Sequence, residues 1–277
     1  MTGIHLCQPD KNKSCGACCG IYNYVGNTRE ELAARFNYRE KLMYKVRSNE
    51  LSLDAYRDAV RRREDGRRIY KTIYTCEFAG WLDGDRKKVG CMIHPMQNDG
   101  NDMRDISFYG RDICEGHFCP SYQKLDENEA RIIVDTLDDW YLFGAVITDI
   151  DYVKTFFRII QNRLGEEVKP PVVRGSHKLK DILNRYYKLK VTWPFRDIKR
   201  PRFGKYYFLG EEYDIDKIDY AGLGAETPVY DPVFLSLSSA FEGKQELDMA
   251  INMLDVIIDE FTYEYSGTDN KDNRPCP

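Results

Sequence analysis

The sequence predicts an α+β protein that is mostly α, in which a loop-rich N-terminal domain with a small hairpin packs on a helical C-terminal domain. Three observations predict this. Eight of the nine cysteines (Cys7, Cys15, Cys18, Cys19, Cys76, Cys91, Cys114 and Cys119) lie in the first 119 positions, and none follows until Cys276. Polar, glycine-punctuated stretches separate the periodic segments of that part. Beyond Cys119-Pro120 the chain turns to long stretches of helical spacing. At 277 residues there is room for two cores, and the expected domains are 1–124 and 125–277.

Thr28 stands three residues before Glu31, the spacing of a capping box, and Leu32, Phe36, Leu42, Met43 and Val46 recur at roughly helical intervals, so a helix is expected over 29–47. A second helix follows in SLDAYRDAVRRRE, with Ser52 as N-cap and an end near Gly66. The run 69–78 is aromatic and β-branched and DGDRKKVG is turn-like, so RIYKTIYTCEFAGWL and VGCMIH are expected to form a short hairpin, and residues 96–112 read as a loop leading to Cys114. Further on, Asp126 with Glu129 caps a helix whose apolar face is ARIIVDTLDDWYLFGAVI. Asp149 caps DYVKTFFRIIQNRL, which stops at Gly165, and Ser176 precedes HKLKDILNRYYKL. RFGKYYFLGEEYDI is strand-like, the next 25 or so residues read as irregular, KQELDMAINMLDVIIDEFTYEY predicts a long helix, and the tail SGTDNKDNRPCP reads as frayed.

A net charge of -4 argues against whole-protein attraction to nucleic acid or anionic lipid. The start MTGIHLCQPDKNK lacks the apolar core of a signal peptide, and no run of about 18 apolar residues occurs. No membrane association is expected, and the expected location is the cytoplasm. In that reducing compartment clustered cysteines point to metal or redox chemistry before disulfides.

Thiolates are soft ligands, and sets of four select zinc, copper(I) or iron-sulfur centres. Cys15 and Cys18 form C-x2-C across Gly16-Ala17, a turn tight enough to aim both sulfurs at one centre. Cys18 and Cys19 are immediate neighbours whose side chains diverge, so they bridge two metals, serve two centres, or leave one as a packed thiol. Eight thiols make two complete four-thiolate sites, or one site with spares. His94 and His117 each follow a cysteine by three residues, as mixed ligands or as surface residues.

CGACCG, TCEFAGWLDGDRKKVGCMIHP and CEGHFCP together resemble the YkgJ-type family of zinc- or iron-chelating cysteine-cluster proteins. The resemblance covers about 120 residues and implies metal-ligand roles for Cys15, Cys18, Cys19, Cys76, Cys91 and Cys114 or Cys119. The leading cysteine of the family's CxxCxxCC opening falls here at Asn12. Either Cys7 replaces it from another point of the loop, or the site has one ligand fewer. Related cysteine clusters accompany flagellin-lysine methylases, where an iron-sulfur centre is implicated.

A structural zinc ribbon usually shows two C-x2-C knuckles, whereas here one knuckle is joined by cysteines arriving singly. Cys119-Pro120 also resembles the Cys-Pro end of ferredoxin ligand runs. The expectation is therefore an iron-sulfur cluster, 4Fe-4S in type, on N-terminal cysteines, serving electron transfer or the modification of a protein partner. The alternative is a structural zinc-binding, protein-interaction module without catalysis. The basic run RRREDGRRIYK reads as a solvated helix end, and KLKVTWPFRDIKRPRFGKYY as a tyrosine-bearing strand with exposed lysines. Asp138-Asp139 and Asp149-x-Asp151 read as caps and solvated charge. No Gly-rich phosphate loop, G-x-S-x-G elbow or H-E-x-x-H points to a nucleotide or a hydrolase.

Overall fold

The computed structural model describes residues 3–64, 66–199 and 217–272. It is 56% helical with one small two-stranded antiparallel sheet among the described residues, a mostly α member of the α+β class. Two compact units divide the chain: His5–Cys119 with Asp139–Gly144 forms one, and the remaining described residues form the other.

In the cysteine-bearing unit, helix α1 (Arg29–Arg47) starts at the expected capping box. Thr28 accepts from the Glu31 N–H at 3.3 Å, and the Glu31 carboxylate accepts from the Thr28 N–H at 3.0 Å. Its buried stripe is Leu32, Phe36, Arg39 and Met43, at helical spacing. Ser52 caps α2 (Leu53–Arg63). The hairpin consists of β1 (Ala79–Trp81) and β2 (Val89–Cys91), with Ala79 opposite Cys91 and Trp81 opposite Val89.

Residues 69–78 differ from the expected strand. Only an isolated bridge between Tyr24 and Arg68 forms beside them. The buried Asn23 side chain satisfies their backbone instead, donating to the Tyr70 and Ile73 carbonyls and accepting from the Tyr70 N–H. A segment whose amides are answered by a side chain needs no ladder partner. The loop expected over 96–112 contains a 3-10 turn at Arg104–Ile106 and runs into helix α3 (Gly110–Gly116), which carries Cys114.

The helical unit begins with α4 (Ser121–Lys124) and α5 (Glu127–Thr136), the latter opened by the expected Asp126/Glu129 capping box. The single helix expected through position 147 is broken at Leu137, and α6 (Trp140–Ile147), whose residues up to Gly144 belong to the cysteine-bearing unit, starts anew. Aspartate competes with helical backbone bonds in a helix interior and favours a cap. Accordingly Asp139 accepts from the Leu142 N–H at 2.7 Å.

Asp149 caps α7 (Ile150–Leu164), which ends on Gly165 at φ 75°. After α8 (Pro170–Gly175), Ser176 caps α9 (His177–Thr192). The stretch expected to be irregular holds α10 (Asp231–Ser236), and α11 (Lys244–Asp272) packs on α9 and α7. The strand expected over 202–215 lies outside the described residues.

Tyr152 and Tyr186 join α7 to α9. Their rings stack at 4.4 Å, and each hydroxyl donates to the other's carbonyl, at 2.6 and 2.9 Å. Beside them the buried Lys190 ammonium donates to Asp149 at 2.6 Å and to the Ser236 carbonyl at 2.9 Å. No helix among the described residues is long and apolar enough to cross a membrane.

Candidate metal centre

The first cysteine segment is a fold of backbone against backbone. The Cys15 N–H donates to the Cys7 carbonyl at 2.8 Å, which closes the loop between them. Next to it the buried Ser14 hydroxyl both donates to the Val89 carbonyl and accepts from the Val89 N–H, each at 2.6 Å, and so pins this loop to β2. Ala17–Cys19 form a 3-10 turn, with the Cys19 N–H donating to Gly16 and the Gly20 N–H to Ala17. Gly20 lies at φ 74°, and a Cβ there would stand 2.2 Å from the Tyr74 carbonyl oxygen. Only glycine lets this turn press against the segment that leads into Cys76. The contact is sealed by the Cys76 N–H, which donates to the Cys19 carbonyl at 2.9 Å.

Arg39 fixes the other side of Cys76. It is fully buried, and all its donor nitrogens are engaged: Nε and Nη2 with the Glu64 carboxylate at 2.7 and 2.6 Å, Nη2 with the Tyr24 hydroxyl, and Nη1 with the Cys76 and Ala79 carbonyls at 3.0 and 2.6 Å. This guanidinium holds the chain between Cys76 and β1 against α1. The hairpin then returns to deliver Cys91, and α3 delivers Cys114. Sequence reasoning missed Arg39, although an arginine in the middle of the apolar stripe of α1 was a signal for it.

The eight cysteines carry thiols, and Cys18 and Cys114 among them are exposed. Cys18 is hydrogen-bonded to Cys119, and the other thiols acting on it are Cys15 and Cys7. Cys15 has Cys7 and Cys119 as its thiol neighbours. Cys19 is influenced first by Cys76, Cys91 and Cys114, and only then by Cys15. Cys19 and Cys91 also pack with Cys76 in one apolar cluster that includes Met43, Tyr56, Phe78, Met92 and Ile93. The adjacent residues Cys18 and Cys19 thus face different company, Cys7, Cys15 and Cys119 for the first, Cys76, Cys91 and Cys114 ahead of Cys15 for the second.

Burial dominates the electrostatics. It holds the Cys15 and Cys19 thiols well above their ordinary value, with neighbouring thiols adding to the effect. Cys76 is pushed up to about 12 and Cys91 to about 11 by burial. The Cys18 thiol is raised by its bond to Cys119 and by lost hydration. Acting the other way are backbone N–H groups two residues on, from Ala17 to Cys15, Phe78 to Cys76 and Ile93 to Cys91. Such donors favour the thiolate. At Cys114 burial raises the thiol, while a bond with Ser107 and the charge of Arg104 lower it. Arg104 is itself held by a two-pronged bond to Asp102, at 2.9 and 2.6 Å.

Among the described residues no three His, Cys, Asp or Glu side chains already stand in an arrangement that would hold a metal ion. What the chain presents is two neighbourhoods of thiols, each sulfur aimed by a single χ1 torsion with three staggered wells. The donor chemistry, four soft sulfurs with amide N–H support, fits zinc or an iron-sulfur cluster.

His94 commits its Nδ1 to the Met96 N–H at 3.2 Å, capping the 3-10 turn Pro95–Gln97, and His117 is exposed at the end of α3. In the basic run, Arg61 pairs with the buried Glu77 at 2.5 Å, Arg63 lies over the Tyr38 ring, and Arg68 donates to Thr75. Compared with protein-family models, with curated proteins and with solved structures, the chain matches none.

Proposed function

We propose that this protein binds metal through its N-terminal cysteines, carries an iron-sulfur cluster there, and serves electron transfer or supports the modification of a protein partner. The observation that carries the reading is convergence. Cysteines from five separate segments, around positions 7, 15–19, 76, 91 and 114–119, fold into one unit, where Cys18 is hydrogen-bonded to Cys119 and Cys19 and Cys91 pack with Cys76.

Burying thiols as small apolar groups explains one or two of them. Amide N–H groups also donate to the sulfurs of Cys15, Cys76 and Cys91, and such donors favour the thiolate against the burial that raises all three thiols. A bound metal keeps coordinating thiols deprotonated, so its uptake releases protons against the burial that otherwise holds them on sulfur. Hydrogen bonds to the sulfurs and the nearby Arg104–Asp102 pair are the groups by which this chain would tune a bound cluster's reduction potential. When bound, the cluster supplies one-electron transfer.

Zinc is the competing reading, favoured by the short strands of this unit, since a structural zinc contributes folding energy outright. Anaerobic purification of the full chain decides between them. Iron with acid-labile sulfide and a brown colour supports the cluster. A colourless protein with stoichiometric zinc supports the zinc module. Protein free of both metals, after reconstitution with ferrous iron and sulfide and with zinc, overturns the reading.

A further inference from the structure

We infer that the eight thiols form two separate four-sulfur sites, Cys7/Cys15/Cys18/Cys119 and Cys19/Cys76/Cys91/Cys114, divided at the peptide bond between Cys18 and Cys19. The inference rests on the metal-binding reading and adds the number of centres and the ligands of each.

The division stands on packing and hydrogen bonds. On one side, the Cys15 N–H reaches the Cys7 carbonyl at 2.8 Å, and the Cys18 and Cys119 thiols are hydrogen-bonded. On the other, the Cys76 N–H reaches the Cys19 carbonyl at 2.9 Å, Cys19 and Cys91 pack in the same apolar cluster as Cys76, and the hairpin register sets Cys91 opposite Ala79, three residues after Cys76. Cys114 completes this second set from α3, which packs on the turn Arg104–Ile106, and Ile106 of that turn packs with Met103 on the same cluster.

The 3-10 turn Ala17–Cys19 supplies the divergence. Consecutive residues on so tight a helix point about 120° apart, so Cys18 and Cys19 address different sides of the turn. Each set also completes itself across the sequence. The first takes Cys119 from far downstream, and the second takes one sulfur from each of four segments. Neither contains a spare thiol, and neither requires a histidine.

The test is metal stoichiometry in the full chain, loaded anaerobically with zinc alone and, separately, with ferrous iron and sulfide. Native mass spectrometry of the wild type is expected to show two zinc ions, or two clusters, per chain. Cys15→Ser and Cys91→Ser should each halve the bound metal. Cys15→Ser with Cys119→Ser should lose no more than Cys15→Ser alone, whereas Cys15→Ser with Cys91→Ser should lose all of it. One centre per chain in the wild type overturns the division while leaving the metal-binding reading intact. So does any single substitution that removes all metal or none. No metal in the wild type sinks both. Where a variant fails to fold, the wild-type mass alone decides.

Discussion

At the scale of single residues, Arg39 is the side chain on which the geometry around Cys76 depends. Removing it leaves the Glu64 carboxylate, 8% exposed, without its closest partner and takes one donor from each of the Cys76 and Ala79 carbonyls. Breaking a buried pair from one side is far costlier than never having built it. Arg39→Met is expected to lower the stability of the full chain by about 3–5 kcal/mol, read as a shift in the urea midpoint. A loss below about 1 kcal/mol would mark the pair as no stronger than a surface one. Much of this residue-level picture was hidden in the sequence. Apolar spacing located α1, but periodicity treats charged residues as surface, and the partners of Arg39 come from positions 24, 64, 76 and 79. Ser14 was invisible for the same reason, its partner Val89 lying 75 residues away.

At the scale of elements, local signals carried well where a helix end is a chemical event. Thr28, Ser52, Asp126, Asp149 and Ser176 all cap the helices they were expected to cap, because each satisfies an N–H that the helix itself leaves open. Strand signals carried less, since a strand needs a partner that its own residues do not specify. The run 69–78 shows the consequence, since the Asn23 side chain, not a strand, answers the backbone of Tyr70 and Ile73.

The N-terminal turn of α5 also gives a pH prediction. Burial raises the Glu129 carboxyl above its ordinary value of 4.5, against bonds from Lys154 and the Asp126 N–H that lower it. The folded chain thus holds this proton more tightly than the unfolded chain. The stability so gained is complete below the ordinary value and is lost as the pH rises through the raised one. Glu129→Gln removes the titration, so urea midpoints measured upward from about pH 4 should show the variant gaining on the wild type. A constant difference between the two would contradict this assignment.

At the scale of the whole molecule, the two units differ in what holds them together. The helical unit has stacked aromatic rings on α7 and α9, Phe261 of α11 against Phe156, and the buried Lys190–Asp149 pair. The cysteine-bearing unit has its own aromatic core of Phe36, Trp81 and Trp140, yet around the thiols it relies on turns and single side-chain ties. If metal organises those turns, a chelator should raise amide exchange around Cys7–Cys19 and Cys76–Cys119 and leave α7, α9 and α11 protected. Unchanged exchange in the cysteine segments would deny the metal a structural part. The mostly helical α+β class was legible from the concentration of cysteines in one part and helical spacing in the other. The sorting of eight sulfurs into two neighbourhoods was not, because spacing says which cysteines are close along the chain and the fold decides which are close in space. Cys18 and Cys19, adjacent in sequence and divided in company, make that difference concrete.

X-ray absorption at the iron and zinc edges of the anaerobically purified full chain tests the metal-binding claim most directly. The account predicts a bound metal whose first shell is sulfur alone, at about 2.3 Å. A shell of nitrogen and oxygen, or no metal at either edge, would contradict it.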